Sequence, residues 1–419
     1  MYSKHPLRAS IIYSVATLFL VYEMALQVSP SVITNQLMGE FGIGAGKLGL
    51  MASFYFYSYS LMQIPAGMLI DRLGPRRLVT FAAIICALGS YFFGGTETVS
   101  MAALGRFLMG FGSSFAFIAV LVIAARWFSK SSFAFFVGIG QFLGMVGALC
   151  GELPLSYAVD SYGWRAVMLF LGFLGLGVAI IALICIRDFP PRAKLDYKSE
   201  DGMRLLHKLR EILTRPQTYA IAGYAFCSWG PVAAFAALWG IPFLVELHSI
   251  SSTHSALAVA MIFIGSGLSA PFLGWFSDLI GRRCLPLQIC SLIGLVTSIA
   301  VIYLPIPFWL MCIALFGFGV AGSGQIVTFG LVRETSRPSM TGAAVGLNNM
   351  AVVAGGAIIQ PLIGAILALL WKGEVRDLIP YYTVGSYQVA LLFIPICFVA
   401  GWILSTFFVR ETYCKTQGR

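Results

Sequence analysis

The chain has 419 residues, of which 59% are hydrophobic and 11% charged, and a net charge of +10. Soluble domains carry about 25% charged residues, so the composition excludes a water-soluble globular chain, and the basic balance is not read as a nucleic-acid surface. Apolar runs recur that are long enough to cross a bilayer, where about 20 residues are needed and only a helix satisfies its own backbone.

In chain order, the first span is expected from roughly Ala9 to Met38. Its length and the internal Glu23 argue against a cleavable signal. The second runs from about Leu48 to Ile70 and leads into a short charged hinge, Gly67-Met-Leu-Ile-Asp71-Arg72-Leu-Gly74-Pro-Arg76-Arg77. The third span covers Leu78 to Gly94, and the fourth reaches Arg126. The fifth carries Gly138, Gly140, Gly144, Gly147 and Gly151, small residues that let helix backbones approach closely. The sixth ends near Ile186. From Arg187 to Pro216 the composition turns charged and includes Pro190-Pro191, which marks 187–216 as a linker between units 1–186 and 217–419. Within it Leu205, Leu206, Leu209, Ile212 and Leu213 share one helical face. That pattern fits a helix on the membrane surface and equally a helix packed on protein. Six further spans are expected, around Tyr219–Glu246, Ala256–Phe276, Leu285–Leu304, Trp309–Leu331, Gly342–Trp371 and Tyr387–Val409.

The second half repeats the first. Gly274, Asp278, Gly281 and Arg283 follow Gly67, Asp71, Gly74 and Arg76 at a constant offset of 207 positions, and Arg333 follows Arg126 at the same offset. Leu108-Met-Gly-Phe-Gly112 falls on Leu315-Phe-Gly-Phe-Gly319. One period carrying an aspartate, a turn glycine and arginines twice indicates internal duplication. With these spans, 22 of the 27 Lys and Arg lie on one side, which makes the basic balance a topology signal with both termini cytoplasmic. The nine cysteines show no metal-ligand spacing and read as apolar packing residues.

Two six-span halves, a charged middle loop and the duplicated G-x-x-x-D-x-x-G-x-R hinge resemble the major facilitator superfamily over essentially the whole chain. Arg106 with Gly110 and Gly112, the glycine-rich fifth span and Gly163-Trp164-Arg165 add to the resemblance. The Gly-Pro pair characteristic of drug antiporters is absent from the fifth span, where Pro154 sits later. Tyr59-Ser-Leu-Met-Gln63-Ile-Pro65-Ala-Gly67 and Gly346-Leu-Asn348-Asn349 with Gln360-Pro361-Leu362 are similar to bacterial relatives of lysosomal dipeptide transporters. The resemblance implies an all-α membrane protein of the MFS fold, twelve transmembrane helices as two pseudo-symmetric six-helix bundles. It further implies alternating access around a midplane site, with no enzymatic chemistry and no cofactor.

Two groups of residues are singled out. Asp71 with Arg126, and Asp278 with Arg333, are expected to latch an inner gate together with Gly67, Gly74, Arg76, Gly274, Gly281 and Arg283. The resemblance implies that the aspartate also faces a helix N-terminus of the opposite half. Arg72, Arg76 and Arg77 read equally as topology determinants. Glu23 and Arg106 are the deepest charges. Charges at such depth are costly and usually line a cavity, and helix rise places both at similar depth. They are expected to share a cavity, with Glu23 taking the coupling proton beside Arg106. The other reading is a structural salt bridge. Tyr22, Gln27, Tyr55, Tyr59, Gln63 and Gln141 from the first half are candidates for lining that cavity. So are Tyr224, Trp229, Gln325, Asn348, Asn349 and Gln360 from the second, unless they serve inter-helix hydrogen bonds. Glu152 and Glu246 are expected to face water near outer helix ends. His5, His207, His248 and His254 fall at loops and are given no role. The function expected is proton-coupled secondary transport of an amino acid, short peptide or carboxylate by a monomer in a bacterial inner membrane. The alternatives are a drug or siderophore exporter and a non-transporting receptor.

Overall fold

The computed structural model describes residues 6–128, 133–189, 210–337, 340–376 and 379–415. Among these residues, twelve long helices run antiparallel through the molecule. In the first bundle they are α1 (Leu7–Phe41), α2 (Ala45–Leu73), α3 (Pro75–Gly95), α4 (Val99–Trp127), α5 (Phe133–Tyr162) and α6 (Trp164–Cys185). In the second they are α7 (Pro216–His248), α8 (Ser252–Ile280), α9 (Cys284–Tyr303), α10 (Phe308–Thr335), α11 (Thr341–Leu369) and α12 (Val384–Phe408). A two-residue strand pair, β1 (Val375–Arg376) and β2 (Ile379–Pro380), links α11 to α12. One end of the bundle holds Arg72, Arg76, Arg77, Arg126, Arg282, Arg283 and Arg333. It is called the basic face below, and the other the far face.

Eleven of these stretches are long and apolar enough to cross a bilayer. The remaining helix, α2, has the length, 29 residues, but carries Ser53, Tyr55, Ser58, Tyr59, Ser60 and Gln63. Large apolar side chains such as Leu61, Phe170, Phe173, Ile184, Trp309 and Ile313 are exposed on the outer surfaces, which is the arrangement lipid requires.

The hinge glycines behave as their sequence position predicts. Gly74 joins α2 to α3 at φ 79°, and Gly281 ends α8 at φ 65°, a region costly for residues with a Cβ. The duplication also appears as contacts. A Cβ on Gly110 of α4 would collide with the Tyr55 carbonyl of α2, and one on Gly319 of α10 with the Ile262 carbonyl of α8. Tyr55 and Ile262 are 207 positions apart, but Gly110 and Gly319 are 209 apart. The expected match of Gly112 with Gly319 is therefore shifted by two residues in the fourth and tenth spans.

Two helices break at the same seam. α1 tightens into a 3-10 turn at Ser29–Ile33 containing Pro30. α7 widens into a π turn at Phe235–Trp239, a few residues after Pro231. Proline removes a backbone donor, and such turns absorb the irregularity. The two breaks meet, with Thr34 Oγ1 reaching the Leu238 carbonyl at 3.5 Å. Most of the expected amphipathic linker helix lies outside the described residues. At its end Ile212 is buried with Ile221 and Leu331 of the second bundle, so at this position the helix packs on protein.

Candidate functional site at mid-depth

Pro30 sets up the site. It has no N–H for the Leu26 carbonyl, one helical turn earlier, and the Ser29 hydroxyl and Arg106 of α4 donate there instead. Arg106 Nη1 donates to the Leu26 carbonyl at 2.8 Å and Nη2 to the Gln27 carbonyl at 3.1 Å. The guanidinium lies 4.6 Å from the Tyr55 ring centroid, within cation–π range. On the other side Tyr55 donates its hydroxyl to Glu23 Oε2 at 2.8 Å. Arg106, Tyr55 and Glu23 are each fully buried.

Glu23 and Arg106 are expected to share a cavity or, on the other reading, a salt bridge; the structure brings them into one buried cluster of a different form. Tyr55 stands between them, and no ion pair joins them among the described residues. The cluster is also incomplete. Glu23 Oε1 and Arg106 Nε are buried without a hydrogen-bond partner, each a costly omission. A group that binds both would relieve it.

The other candidates divide. Tyr59 stacks on Tyr55 with centroids 5.9 Å apart, and Gln27 and Gln63 are buried nearby in sequence. Gln141 is half-buried on α5. Tyr22 is a correction: its hydroxyl points into the first bundle against Gly175 of α6. In the second half, hydrogen bonds between helices take up several amides. Asn349 donates to Gln63 Oε1 at 2.6 Å, which joins α11 to α2 across the halves. Asn348 donates to Thr328 Oγ1 at 2.9 Å, and Gln360 to the Ala233 carbonyl at 3.0 Å. Asn348 Oδ1 and Gln360 Oε1 remain without partners. Trp229 packs against Gly322, Tyr224 donates to the Leu287 carbonyl at 2.9 Å, and Gln325 is buried at the break of α10.

The basic face departs further from expectation. The Asp71 side chain lies outside what the structure describes, so its pairing with Arg126 stays an expectation. Arg126 donates to the Asp188 carbonyl at 3.4 Å and lies 4.5 Å from the Phe189 ring. In the second half Asp278 pairs with Arg283 at 2.7 Å, and Arg283 pairs with Glu334 at 2.6 Å. Arg333, the expected partner of Asp278, is exposed. The reason is position. Arg283 sits five residues beyond Asp278 on the same hinge and reaches both acids, whereas Arg333 projects from the outside of α10. Burial works against the Arg283 charge, but Glu334 and Asp278 outweigh it and hold its pKa above the ordinary arginine value.

Sequence reasoning also missed Glu152. Expected in water, it is fully buried on α5, and Ser31 Oγ lies 3.0 Å from each carboxyl oxygen. Glu246 is half-buried and accepts the Tyr381 hydroxyl. His5 and His207 lie outside the described residues. His248 and His254 sit at the ends of α7 and α8.

A family model described as Major Facilitator Superfamily matches residues 15–244 and 225–416. The chain is 22% identical over 391 residues to a probable hexose phosphate transport protein of Chlamydia pneumoniae, covering 86% of this chain and 84% of that one. It is 26% identical over 369 residues to the D-galactonate transporter of Escherichia coli O6:H1, covering 80% and 83%. It is 23% identical over 372 residues to the membrane sensor protein UhpC of Escherichia coli strain K12, covering 82% of each. Among solved structures, a bacterial homologue of the human lysosomal transporter Spinster, inward-facing and unoccupied, matches with a TM-score of 0.75 at 18% identity. That match covers 96% of this chain and 98% of the other. At that identity the likeness bears on the fold alone.

Proposed function

The chain belongs to the major facilitator superfamily, a family of transporters and not of enzymes, and we propose that it couples proton movement to transport of a small polar anion. Its homologues support the coarser statement, a multi-pass membrane transporter of small polar metabolites. The observation that carries the finer one is the Glu23–Tyr55–Arg106 cluster. It buries one acid and one base about Tyr55 and leaves a polar atom of each unpartnered.

A substrate carboxylate or phosphate that reaches Arg106 Nε would supply the missing acceptor, and guanidinium forks suit such oxyanions. Among the described residues Glu23 has one hydroxyl donor in hydrogen-bond geometry and no cation bonded to it, so carrying a charge there is expensive in a fully buried site. In this reading Glu23 holds a proton while the site is closed. It releases that proton when the basic face opens. The names of two relatives point to the same chemistry, since hexose phosphates and D-galactonate are small hydroxylated anions. Amino acids and short peptides share the carboxylate and remain in the class.

The cycle is read as alternating access, the two bundles rocking about this site. The units are 1–186 and 217–419, joined by the linker 187–216. The side of the basic face is read as cytoplasmic, with both termini there, in a bacterial inner membrane, and the protein as a monomer.

The test is uptake into reconstituted vesicles under an imposed proton gradient, using hexose phosphates, aldonates, amino acids and dipeptides. Accumulation of an anion that collapses with the gradient is expected. A second reading rests on the similarity to a membrane sensor. Ligand-dependent thermal stabilisation with no uptake of any stabilising ligand would select that reading and reject transport.

A further inference from the structure

We propose that Glu152 is a second proton-binding site, separate from Glu23, whose charge state controls opening of the far face. The inference rests on the proton-coupled reading for its place in the cycle, but its test needs neither substrate nor gradient.

Glu152 sits where the two bundles close over the site. Its neighbour Gly151 leaves no room against α1, since a Cβ there would lie 2.7 Å from the Ala25 carbonyl. The carboxyl itself meets the 3-10 turn of α1, which touches the π turn of α7 through Thr34 and the Leu238 carbonyl. One helical turn towards the far face, Ser156 Oγ lies 3.2 Å from Thr253 Oγ1 of α8, and Thr253 donates to Asp160 at 2.7 Å. The acid is therefore buried just beneath hydrogen bonds that tie one half to the other.

Hydrogen-bond counting gives its state. Ser31 Oγ is 2.7 Å from the Val28 carbonyl and 3.0 Å from each Glu152 oxygen. A serine has one proton. That proton is shared between the Val28 carbonyl and the Glu152 carboxyl, so a carboxylate here has at most this one donor and no cation among the described residues. A protonated Glu152 needs no such support and can itself donate to the serine oxygen. The charged and titratable groups on the surrounding elements are engaged elsewhere. Arg106 of α4 holds the Leu26 and Gln27 carbonyls, and Glu23 of α1 accepts from Tyr55. Asp160 accepts from Thr253 of α8, where His254 meets Ser251. Arg165 of α6 pairs with Glu40 at the end of α1, and Glu246 of α7 accepts from Tyr381. Among the described residues none of these bonds Glu152.

When the far ends of α5 and α8 part, water reaches Glu152 and takes its proton. Reclosure would then bury an unpaired carboxylate, which is strongly unfavourable, until a proton returns. Acid holds the far face shut, and alkali favours its opening.

Spin labels at the exposed positions Tyr157 and Leu257, on the far ends of α5 and α8, read the opening in purified protein across a pH series. In the otherwise wild-type chain the long-distance population rises several-fold from acid to alkaline pH. Glu152→Gln keeps the short distance at every pH, while Glu152→Asp, which still titrates, restores a pH response. A cooperative thermal unfolding transition of purified Glu152→Gln, with a monodisperse elution profile, shows that the variant is folded. A Glu152→Gln protein with the wild-type pH dependence, or a wild-type protein with none, would overturn the proposal. The same measurement in Glu23→Gln separates the two sites. Persistence of the pH response there supports Glu152 as the controlling group, and its loss contradicts that role.

Discussion

Arg106 clamps two carbonyls of α1 and, in the proposed function, receives the substrate anion, two tasks that the sequence did not separate. It was recognisable as a charge deep in an apolar span, and that much was legible. Its partners were not, because the need for a donor at Leu26 arises from Pro30 on another helix and appears only when α1 and α4 are packed. Arg106→Lys is expected to lose transport and to lower the thermal unfolding temperature, because an ammonium cannot fork across the Leu26 and Gln27 carbonyls. Arg106→Leu removes the guanidinium from both carbonyls, at a cost of about 1–3 kcal/mol, with the Ser29 hydroxyl still donating to Leu26. Unfolding temperatures of purified wild type and variants measure both. A stable Arg106→Lys protein with full transport would refute the clamp. Glu152 was misjudged for a related reason. It was placed in water near an outer helix end, yet α5 continues through Pro154 to Tyr162. Glu152 therefore lies ten residues inside α5, about 15 Å along the helix axis.

The helix ends show a duplication that the 207-residue match did not reveal. Asp188, three residues after α6, accepts the Arg76 backbone N–H at 2.9 Å at the start of α3. Glu411, three residues after α12, accepts the Arg283 and Cys284 N–H groups, each at 2.8 Å, at the start of α9. An acid at a helix N-terminus satisfies orphan donors and suits the dipole, so the tail of each bundle staples its own third helix. The two acids escaped the repeat because they differ in type and in offset. For Glu411, burial alone would raise the pKa, but four backbone N–H groups outweigh it and hold the carboxyl below its ordinary value. A depressed carboxyl stabilises the fold above the unfolded glutamate pKa of about 4.3. That contribution is lost as pH falls through the native value. Thermal unfolding across mildly acid pH is expected to show this loss in wild type and a flatter profile in Glu411→Gln. Identical profiles would remove the staple from the account.

At the scale of the whole molecule, the sequence conveyed the architecture well and the site only in part. Twelve spans, the hinge glycines and the repeat are written in composition and period, which local physics enforces. The site depends on which helices touch, and the symmetry of the sequence hides its asymmetry. At offsets of 207 and 209, Arg106 falls on Ile313 and Leu315, and Glu23 on Gly230 and Val232. The second half therefore has the scaffold but no counterpart of the charged pair. The far face is closed in this structure by bonds between the halves, Ala45 N–H to Tyr382 Oη at 2.9 Å and Ser156 to Thr253 at 3.2 Å. On the basic side of the site, Gln63 and Asn349 clasp α2 to α11. The proposed rocking of the bundles would break one set at a time. A Ser156→Cys/Thr253→Cys pair in a background free of native cysteines is expected to stop transport when oxidised and to recover on reduction. Transport unaffected by a confirmed crosslink would exclude a rocking motion at that seam.

The central claim is that Glu23 carries the coupling proton, and one measurement bears on it most directly. Vesicles reconstituted with Glu23→Gln are loaded with substrate for exchange, or placed under an inward proton gradient for uptake. The account predicts that exchange survives while gradient-driven accumulation disappears. Gradient-driven accumulation at the wild-type level by Glu23→Gln would contradict it.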